Sequence, residues 1–440
     1  MSNNEIRLEA QDLNQQAVML IKANSLEAAK EKIEKAIDLD PMLMDSYKNY
    51  GDYYMALQLY ENAKNMYKKA LLIEKKGELY FLYGNACFML DEVHDGLEYY
   101  NLALSAGFDN EDMLFFMGMA YEHLNDDQMA LRYFTKATQK NPSRPDFLVK
   151  KITTLIRLDM LDVAEENAEQ LIANSPELFD GYHIKSKLLI NRGAIDEALA
   201  FSKAASEKFP EDVDLLFDYV RSITVKGDYE KALNLIQNAK KMKYFENSKR
   251  SFVMLEAQIA ADVNNIERAI ECCLECIELE NNDYFDSEAR FMLMNMYLTY
   301  PKFDEALNMA VQLCDNDAED LYYYAALYYR AFCSKQLNNE TAGKYYKEAN
   351  SIYRLATLKK PEALDIYLYR AMCLKDMEEY DKALDILDFM NELTDDIAEI
   401  YTVRAEIYKL QGNNILANEQ FEKAYSIKPE LKNYYGKTGE

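Results

Sequence analysis

Tryptophan is absent from this chain of 440 residues, and histidine, proline and glycine are scarce, at 3, 8 and 13 residues. So few turn-forming residues argue against an all-β fold, which needs a turn signal about every 8–12 residues. Residues that favour helices, among them Ala, Leu, Glu, Lys and Met, are abundant. A mostly helical fold is therefore expected.

Long apolar runs are also missing. No stretch approaches the roughly 18–20 apolar residues that cross a membrane. The first residues, MSNNEIRLEAQDLNQQ, lack the basic and apolar regions of a signal peptide. Seven cysteines, an odd number spread over a long chain, do not fit a disulfide framework. These features predict a cytoplasmic protein without membrane insertion.

Basic residues are outnumbered, and the formal net charge is −26. Proteins that bind nucleic acid usually present a basic face to the phosphate backbone. The composition therefore predicts no nucleic-acid partner. An acidic exterior keeps a long surface in solution, and it also favours basic partners.

A small residue recurs along the chain at a nearly constant interval, and eleven of its twelve occurrences are alanine. Successive intervals are 34, 33, 34, 34, 34, 34, 37, 37, 36, 41 and 34 residues. Such self-similarity is the signature of a repeat architecture. The twelve residues, called the anchors below, are Ala29, Ala63, Gly96, Ala130, Ala164, Ala198, Ala232, Ala269, Ala306, Ala342, Ala383 and Ala417.

Each repeat is interpreted as two helices. In the second copy, Tyr47, Gly51 and Tyr54 share one helical face, and after a polar turn Ala63 and Ala70 share a second one. Small residues are needed where two helices approach to about 8–10 Å, and the tyrosines fill the space around them. Short helix pairs bury too little surface alone, so stacking of successive repeats is expected.

The repeat that begins at Glu111 carries a bulky residue, Gly, Tyr, Ala, Phe, Ala and Pro at Leu114, Gly118, Tyr121, Ala130, Phe134, Ala137 and Pro142. With this pattern the chain resembles tetratricopeptide repeat proteins, in particular multi-repeat scaffolds of bacterial type, from about residue 8 to 429. The resemblance implies an all-α fold, a right-handed superhelix of about twelve helix-turn-helix repeats. The chain departs from the family pattern at the family's tryptophan, which is missing from every copy and is replaced by tyrosine in five of them.

The interval between anchors divides the chain. We predict regular repeats 1–7 over residues 1–240, longer and more divergent repeats 8–12 over 241–429, and a C-terminal tail over 430–440. Near residues 322–335 the register stays ambiguous, because either Arg330 or Ala331 fits the position of a small residue. The tail also leaves two alternatives: a short cap formed by Leu431, Tyr434 and Tyr435, or docking on a partner, including another copy of the chain.

The sequence contains almost no motif or spacing typical of catalysis or metal binding. The three histidines follow no ligand or nucleophile spacing, and no phosphate-binding or hydrolase motif occurs. Cys272, Cys273 and Cys276 form the only cysteine cluster, whereas a structural zinc site needs four ligands. Core packing is the favoured interpretation of this cluster, with a redox or metal role as the alternative. We predict no enzymatic activity, no cofactor and no metal.

In the family, the first helices of successive repeats line a concave groove that binds peptides. The resemblance assigns positions 2, 5, 6, 9, 12 and 13 of each repeat to this groove. The third and fourth copies then contribute mostly apolar residues, and the next three contribute mostly basic ones. The implied groove residues are Phe81, Asn85, Phe88, Phe115, Met119, Lys150, Thr153, Arg157, His183, Lys187 and Arg221.

Each half of this set has an alternative interpretation. Tight winding of the superhelix would bury the apolar residues against neighbouring first helices. The basic residues would instead pair with acidic residues on the same helices, namely Asp146, Asp180, Asp214 and Asp218.

The resemblance predicts a scaffold or adaptor for protein–protein interaction, which binds a peptide or an extended protein segment in the groove. The alternative is a regulatory protein that senses a peptide or a small ligand. The identity of the partner does not follow from the sequence.

Overall fold

The computed structural model describes residues 3–279, 284–315 and 321–432, and within these ranges it contains twenty-four α-helices and no strand. Consecutive helices pack against each other in pairs, as the predicted helix-turn-helix repeats require. The prediction of an all-α fold with about twelve repeats is therefore confirmed.

Each repeat consists of a first helix and a second helix joined by a short turn. The first helices are α1 (Asn3–Lys22), α3 (Met44–Ala56), α5 (Gly77–Met89), α7 (Glu111–His123), α9 (Pro145–Arg157), α11 (Phe179–Asn191), α13 (Val213–Val225), α15 (Phe245–Asp262), α17 (Tyr284–Thr299), α19 (Leu321–Gln336), α21 (Leu364–Asp376) and α23 (Ala398–Leu410). The second helices are α2 (Leu26–Leu39), α4 (Tyr60–Ile73), α6 (Val93–Ser105), α8 (Asp127–Lys140), α10 (Leu161–Asn174), α12 (Ile195–Lys208), α14 (Tyr229–Ala239), α16 (Ile266–Glu278), α18 (Phe303–Asp315), α20 (Ala342–Lys359), α22 (Tyr380–Leu393) and α24 (Asn414–Ile427).

The anchors lie in the core of their helix pairs. All eleven anchor alanines are buried, and most have no exposed surface at all. Glycine takes the facing position on the first helix in three repeats, and Gly51 is covered by the ring of Tyr67. The close helix approach inferred from the alanine series is thus present.

The turn between the two helices of a repeat contains one residue in the left-handed backbone region. It lies five residues before the anchor in most copies, for example Asn24 with φ 55°, Gln58 with φ 58° and Gly193 with φ 74°. Asparagine and glycine adopt this conformation most readily, which explains why they recur there. The turn ends the first helix and starts the second at a constant place.

The chain forms two compact units, Met1–Ser222 and Ile223–Glu440. Apart from the N-terminal helix α1 of 20 residues in the first unit, the longest helices are α15 and α20 of the second unit, with 18 residues each. The division at residue 240, which the repeat lengths suggest, remains a prediction. In α19, Ala331 is fully buried, whereas Arg330 is half-buried and lies 3.2 Å from Glu348.

Several pairs of consecutive first helices contact each other within a unit, among them α5 and α7 in the first unit and α19 and α21 in the second, and side chains of α7 and α9 and of α11 and α13 also meet. Consecutive second helices of the described ranges make no comparable contact. The first helices therefore form the inner layer of each unit. The surface of this layer in the first unit, from α5 to α13, is called the inner face below.

At the C-terminal end, Leu431 packs against Ala398, Tyr401 and Ala424. Leu431 is one of the three residues of the suggested cap, which itself remains a prediction. Tyr434 and Tyr435 lie outside the described residues, and self-association through this end remains a prediction.

Candidate functional site

Two residues of the implied groove belong to the core instead of the surface. Phe81 is 8% exposed, and its ring stacks on Phe108 with centroids 5.5 Å apart. Asn85 is 9% exposed and accepts a hydrogen bond of 2.8 Å from the hydroxyl of Tyr100. Because both side chains are used inside the repeat, they stabilise the fold and offer little to a ligand.

The other apolar groove residues are only half-buried. Phe115 stacks on Phe147 of the next repeat, with centroids 4.7 Å apart, and Phe88 lies edge-on to Phe116 at 6.3 Å. Met119 is half-buried beside them. Winding of the first helices thus covers part of this apolar strip, as the alternative interpretation supposed, and leaves part of it facing solvent.

Two basic residues of the implied groove, Lys150 and Arg157, have carboxylate partners. Glu122 accepts from Lys150 at 2.9 Å and from Arg157 at 2.8 Å, and Asp127 accepts from Arg157 at 2.8 Å. Thr153 donates to the carbonyl oxygen of Lys150 at 3.0 Å. The positive charges of Lys150 and Arg157 are therefore largely compensated within the chain.

For Lys150 and Arg157, the partners differ from those that the sequence suggested. Asp146 forms an ion pair with Arg144 at 2.7 Å and does not pair with Lys150 or Arg157. Glu122 comes from the preceding repeat, which begins at Glu111, and it occupies the twelfth position there. That position is one of those assigned to the groove, so the same rule applied to acidic residues would have identified it.

A buried carboxylate lies among the basic residues further along the inner face. Asp218 on α13 has no exposed surface, and its Oδ2 lies 2.5 Å from Nδ1 of His183 on α11. Burial raises the pKa of Asp218, although His183, Lys187 and Arg221 act in the opposite direction. Its Oδ1 has no hydrogen-bond partner within the described residues.

Lys187 and Arg221 flank this carboxylate and are half-buried. Neither forms an ion pair at 4 Å or less in the described part of the chain. The arrangement is a basic rim around a buried acid, and its outer cations remain available to an anionic group. Sequence spacing placed His183, Lys187 and Arg221 on one face, and the structure brings them together around Asp218.

The cysteine cluster lies in the apolar core of the second unit. Cys272, Cys273 and Cys276 have no exposed surface. Burial raises the pKa of Cys272 to about 11 and that of Cys273 to about 12, which disfavours the thiolate that binds metals or reacts. No group of three metal-ligating side chains occurs among the described residues. The packing agrees with the core interpretation.

Helix pairs of similar length, stacked with their first helices inward, define a helical repeat protein. The sequence profile of the tetratricopeptide repeat matches residues 45–76, 111–144, 251–283 and 398–431. Together with the twelve helix pairs, these matches show that the chain contains tetratricopeptide repeats. Proteins of this fold generally mediate protein–protein interactions and are generally not enzymes.

Similar proteins of known sequence or structure are distant. An uncharacterized protein of Aquifex aeolicus is 31% identical over 98 residues, which are 21% of this chain and 13% of that protein. Among solved structures, a chain of the APC/C hetero-tetramer Cut9–Hcn1 aligns over 98% of this chain and 94% of its own, with 13% identity and a TM-score of 0.46. The structure of PilF from Pseudomonas aeruginosa aligns over 49% of this chain and 97% of its own, with 15% identity and a TM-score of 0.42.

None of the helices in the described ranges has the length and apolar character needed to cross a membrane. The cytoplasmic location and the binding roles of the eleven groove residues remain predictions.

Proposed function

We propose that this protein is an interaction scaffold or adaptor that holds a peptide or an extended protein segment against its inner face. The observation that carries the proposal is the half-exposed apolar strip formed by Phe88, Phe115 and Met119, which precedes the basic rim formed by Lys187 and Arg221. Partly exposed aromatic side chains on a rigid helical layer are typical anchors for a peptide. The unpaired cations favour a ligand with acidic residues toward one end.

The contacts that support this proposal are fewer than the eleven implied by the sequence. Phe81 and Asn85 are inside the fold, and Glu122 already compensates Lys150 and Arg157. The ligand is therefore proposed to touch the half-exposed rings first and the basic rim second. Met89, which is 44% exposed beside Phe88, adds to the apolar part.

A regulatory protein that senses a peptide or small ligand is the alternative, and one observation favours it. The unpartnered Oδ1 of buried Asp218 would accept a hydrogen bond from a compact ligand whose anionic group lies on Lys187 or Arg221. Thermal-shift measurements with peptide pools and small anionic ligands separate the two functions. A marked rise in the melting temperature with a small ligand at modest concentration favours the sensor, since binding stabilises by mass action.

The experiment that tests the scaffold is selection of binding peptides from a random display library on the immobilised protein. The variant Phe88→Ser/Met119→Ser/Lys187→Glu/Arg221→Glu should lose the selected peptides. A control variant, Leu102→Ser/Lys203→Glu, changes exposed residues of second helices in the same unit and should keep them. Peptides that bind the first variant as well as the wild type would place the site elsewhere and contradict the proposal.

A further inference from the structure

The second helix α20 presents an exposed surface that the inner face does not include. It has 18 residues, whereas the other second helices of the described ranges have 11–14. Its buried side includes Tyr346, Ala349 and Tyr353. The opposite side, called the α20 face below, consists of Lys344, Lys347, Glu348, Ser351, Arg354, Leu355, Leu358 and Lys359, all exposed.

The α20 face is strongly basic in a chain of net charge −26. Its four cations, Lys344, Lys347, Arg354 and Lys359, form no ion pair within the described residues. Glu348 is the one acidic residue of this helix, and it is engaged by Arg330 at 3.2 Å. The positive charge of this surface is therefore not compensated inside the protein.

A further cation lies next to this surface on α21. Arg370 is half-buried, and its Nε donates to Oδ1 of Asn350 at 3.2 Å. Burial lowers the pKa of Arg370, and the positive charge of Arg354 lowers it further. The two guanidinium groups repel each other, and a carboxylate placed between them would relieve that repulsion.

Two leucines lie among the cations. Leu355 is 58% exposed and Leu358 is 76% exposed. They are three residues apart on the helix, so they lie side by side and can be covered by one apolar side chain of a partner. Leu358 and Lys359 belong to the extra turn that distinguishes α20 from the other second helices.

We propose that the α20 face is a docking surface for an acidic segment of a partner protein that also carries apolar side chains. Charge complementarity selects this occupant. The uncompensated cations attract carboxylates, whereas the acidic remainder of the chain repels carboxylates, so an acidic segment is directed to the α20 face. The leucine pair supplies the apolar contact that fixes the segment in place. An anionic membrane is disfavoured as the occupant, since the net charge of the chain opposes approach to anionic lipid.

The test uses a site-specific reporter on the full chain. Among the seven cysteines, six are buried and Cys314 is half-buried, so a Ser351→Cys variant offers one exposed thiol for an environment-sensitive fluorophore. The probe is a synthetic helical peptide of alternating Glu and Leu pairs. A peptide of the same pattern with Lys for Glu, and an all-Glu peptide of equal length, serve as comparisons. The same fluorophore on Asn65→Cys of α4, which is exposed, reports binding elsewhere.

The Glu/Leu peptide should change the fluorescence at residue 351 but not at residue 65. Its affinity should fall when salt rises, since exposed charge pairs are screened. The all-Glu peptide should bind more weakly, and the Lys/Leu peptide should not bind. Adding Lys347→Glu, Arg354→Glu and Leu358→Ser should lower the affinity for the Glu/Leu peptide by about tenfold or more.

The matched control, Lys68→Glu/Lys69→Glu/Leu72→Ser, makes the same change of charge and apolar area on the exposed side of α4 and should leave the affinity unchanged. Circular dichroism verifies that both triple variants fold. Equal binding by the α20 variant overturns the proposal. Stronger fluorescence changes with phosphatidylserine vesicles than with the peptide, or self-association that the α20 variant abolishes, would also overturn it by naming a different occupant.

Discussion

The ring of Tyr67 lies directly over Gly51, so closely that a Cβ on Gly51 would stand 2.3 Å from Cε1 of Tyr67. The hydroxyl of Tyr67 also donates to Oδ1 of Asp52 at 2.7 Å, which fixes the ring in this position. The same relationship recurs between Gly118 and Phe134, at 2.6 Å. An aromatic ring of the second helix thus occupies the space that a side chain on the first helix would need.

This relationship predicts that Gly51→Ala destabilises the protein, although alanine favours helices more than glycine does. Displacing a buried, hydrogen-bonded ring should cost about 1–3 kcal/mol. Gly343 of α20 is the control, because nothing lies within 4 Å of a Cβ added there. Gly343→Ala should stabilise by about 0.5–1 kcal/mol. Urea unfolding followed by circular dichroism measures both, and equal midpoints for the two variants would contradict the account.

The left-handed turn residue gives a second prediction. Gln58 has φ 58° and lies where Gly193, with φ 74°, lies four repeats later. A residue with a Cβ is strained in the left-handed backbone region by roughly 1–2 kcal/mol, whereas glycine is not. Gln58→Gly should therefore stabilise by about 1 kcal/mol.

The reverse change, Gly193→Ala, should destabilise by a similar amount. Nothing lies within 4 Å of a Cβ on Gly193, so its effect comes from the backbone alone. Thermal unfolding of both variants provides the measurement. A destabilised Gln58→Gly variant would show that other interactions of the Gln58 side chain outweigh the backbone strain of the turn.

The regular features of the fold followed from the sequence because each repeat must satisfy the same helix contact. The anchor alanines mark that contact, and they are buried as expected. Exposure on the inner face was harder to predict, because it depends on the side chains of neighbouring repeats. Phe81 occupies a groove position, but Phe108 and Phe116 lie within 5.5 and 6.0 Å of its ring centroid and cover it.

Charge pairing was hard to predict for a similar reason. The partner of Lys150 and Arg157 comes from the preceding repeat, 28 and 35 residues away, whereas the acidic residues suggested by the sequence lie on the same helices. At Arg330 and Ala331, the repeat pattern allowed two registers. Burial of Ala331 and the contact of Arg330 with Glu348 distinguish them.

A third prediction concerns the pH dependence of stability in the second unit. Oε1 and Oε2 of buried Glu256 accept from Arg268 at 2.8 Å and from Lys240 at 3.0 Å. Burial alone would raise the pKa of Glu256, but these two bonds lower it below the ordinary value of 4.5. Because the folded pKa is the lower one, the stabilisation is fully present above about pH 4.5 and is lost as the pH falls through the folded pKa.

Glu256→Gln should therefore cost about 1–2 kcal/mol at pH 7, and the difference from wild type should shrink as the pH falls below about 4.5. Glu271→Gln is the control, because Glu271 also binds Arg268, at 2.9 Å, but is largely exposed. Its effect should stay below about 0.5 kcal/mol. Urea midpoints at about pH 7, 5 and 3.5 test the pair. A pH-independent difference for Glu256→Gln would exclude the ion pair as its cause.

The last prediction concerns the charge of the inner face. Glu122 binds Lys150 and Arg157, so the chain itself supplies the acid that a ligand would otherwise supply. Glu122→Gln removes the carboxylate that competes with a ligand for these two cations. Arg157 still forms its ion pair with Asp127 at 2.8 Å. An acidic peptide selected on the wild-type protein should then bind about three- to tenfold more tightly at low salt, with a smaller gain at high salt.

Fluorescence anisotropy with the labelled peptide measures this gain. The control variant Glu98→Gln removes the same charge from an exposed position on α6, so it measures the effect of net charge alone. If Glu122→Gln strengthens binding more than Glu98→Gln does, the freed Lys150 and Arg157 contact the peptide. If the two variants behave alike, those cations do not take part in binding, and the ligand contacts must lie at the apolar strip and the basic rim.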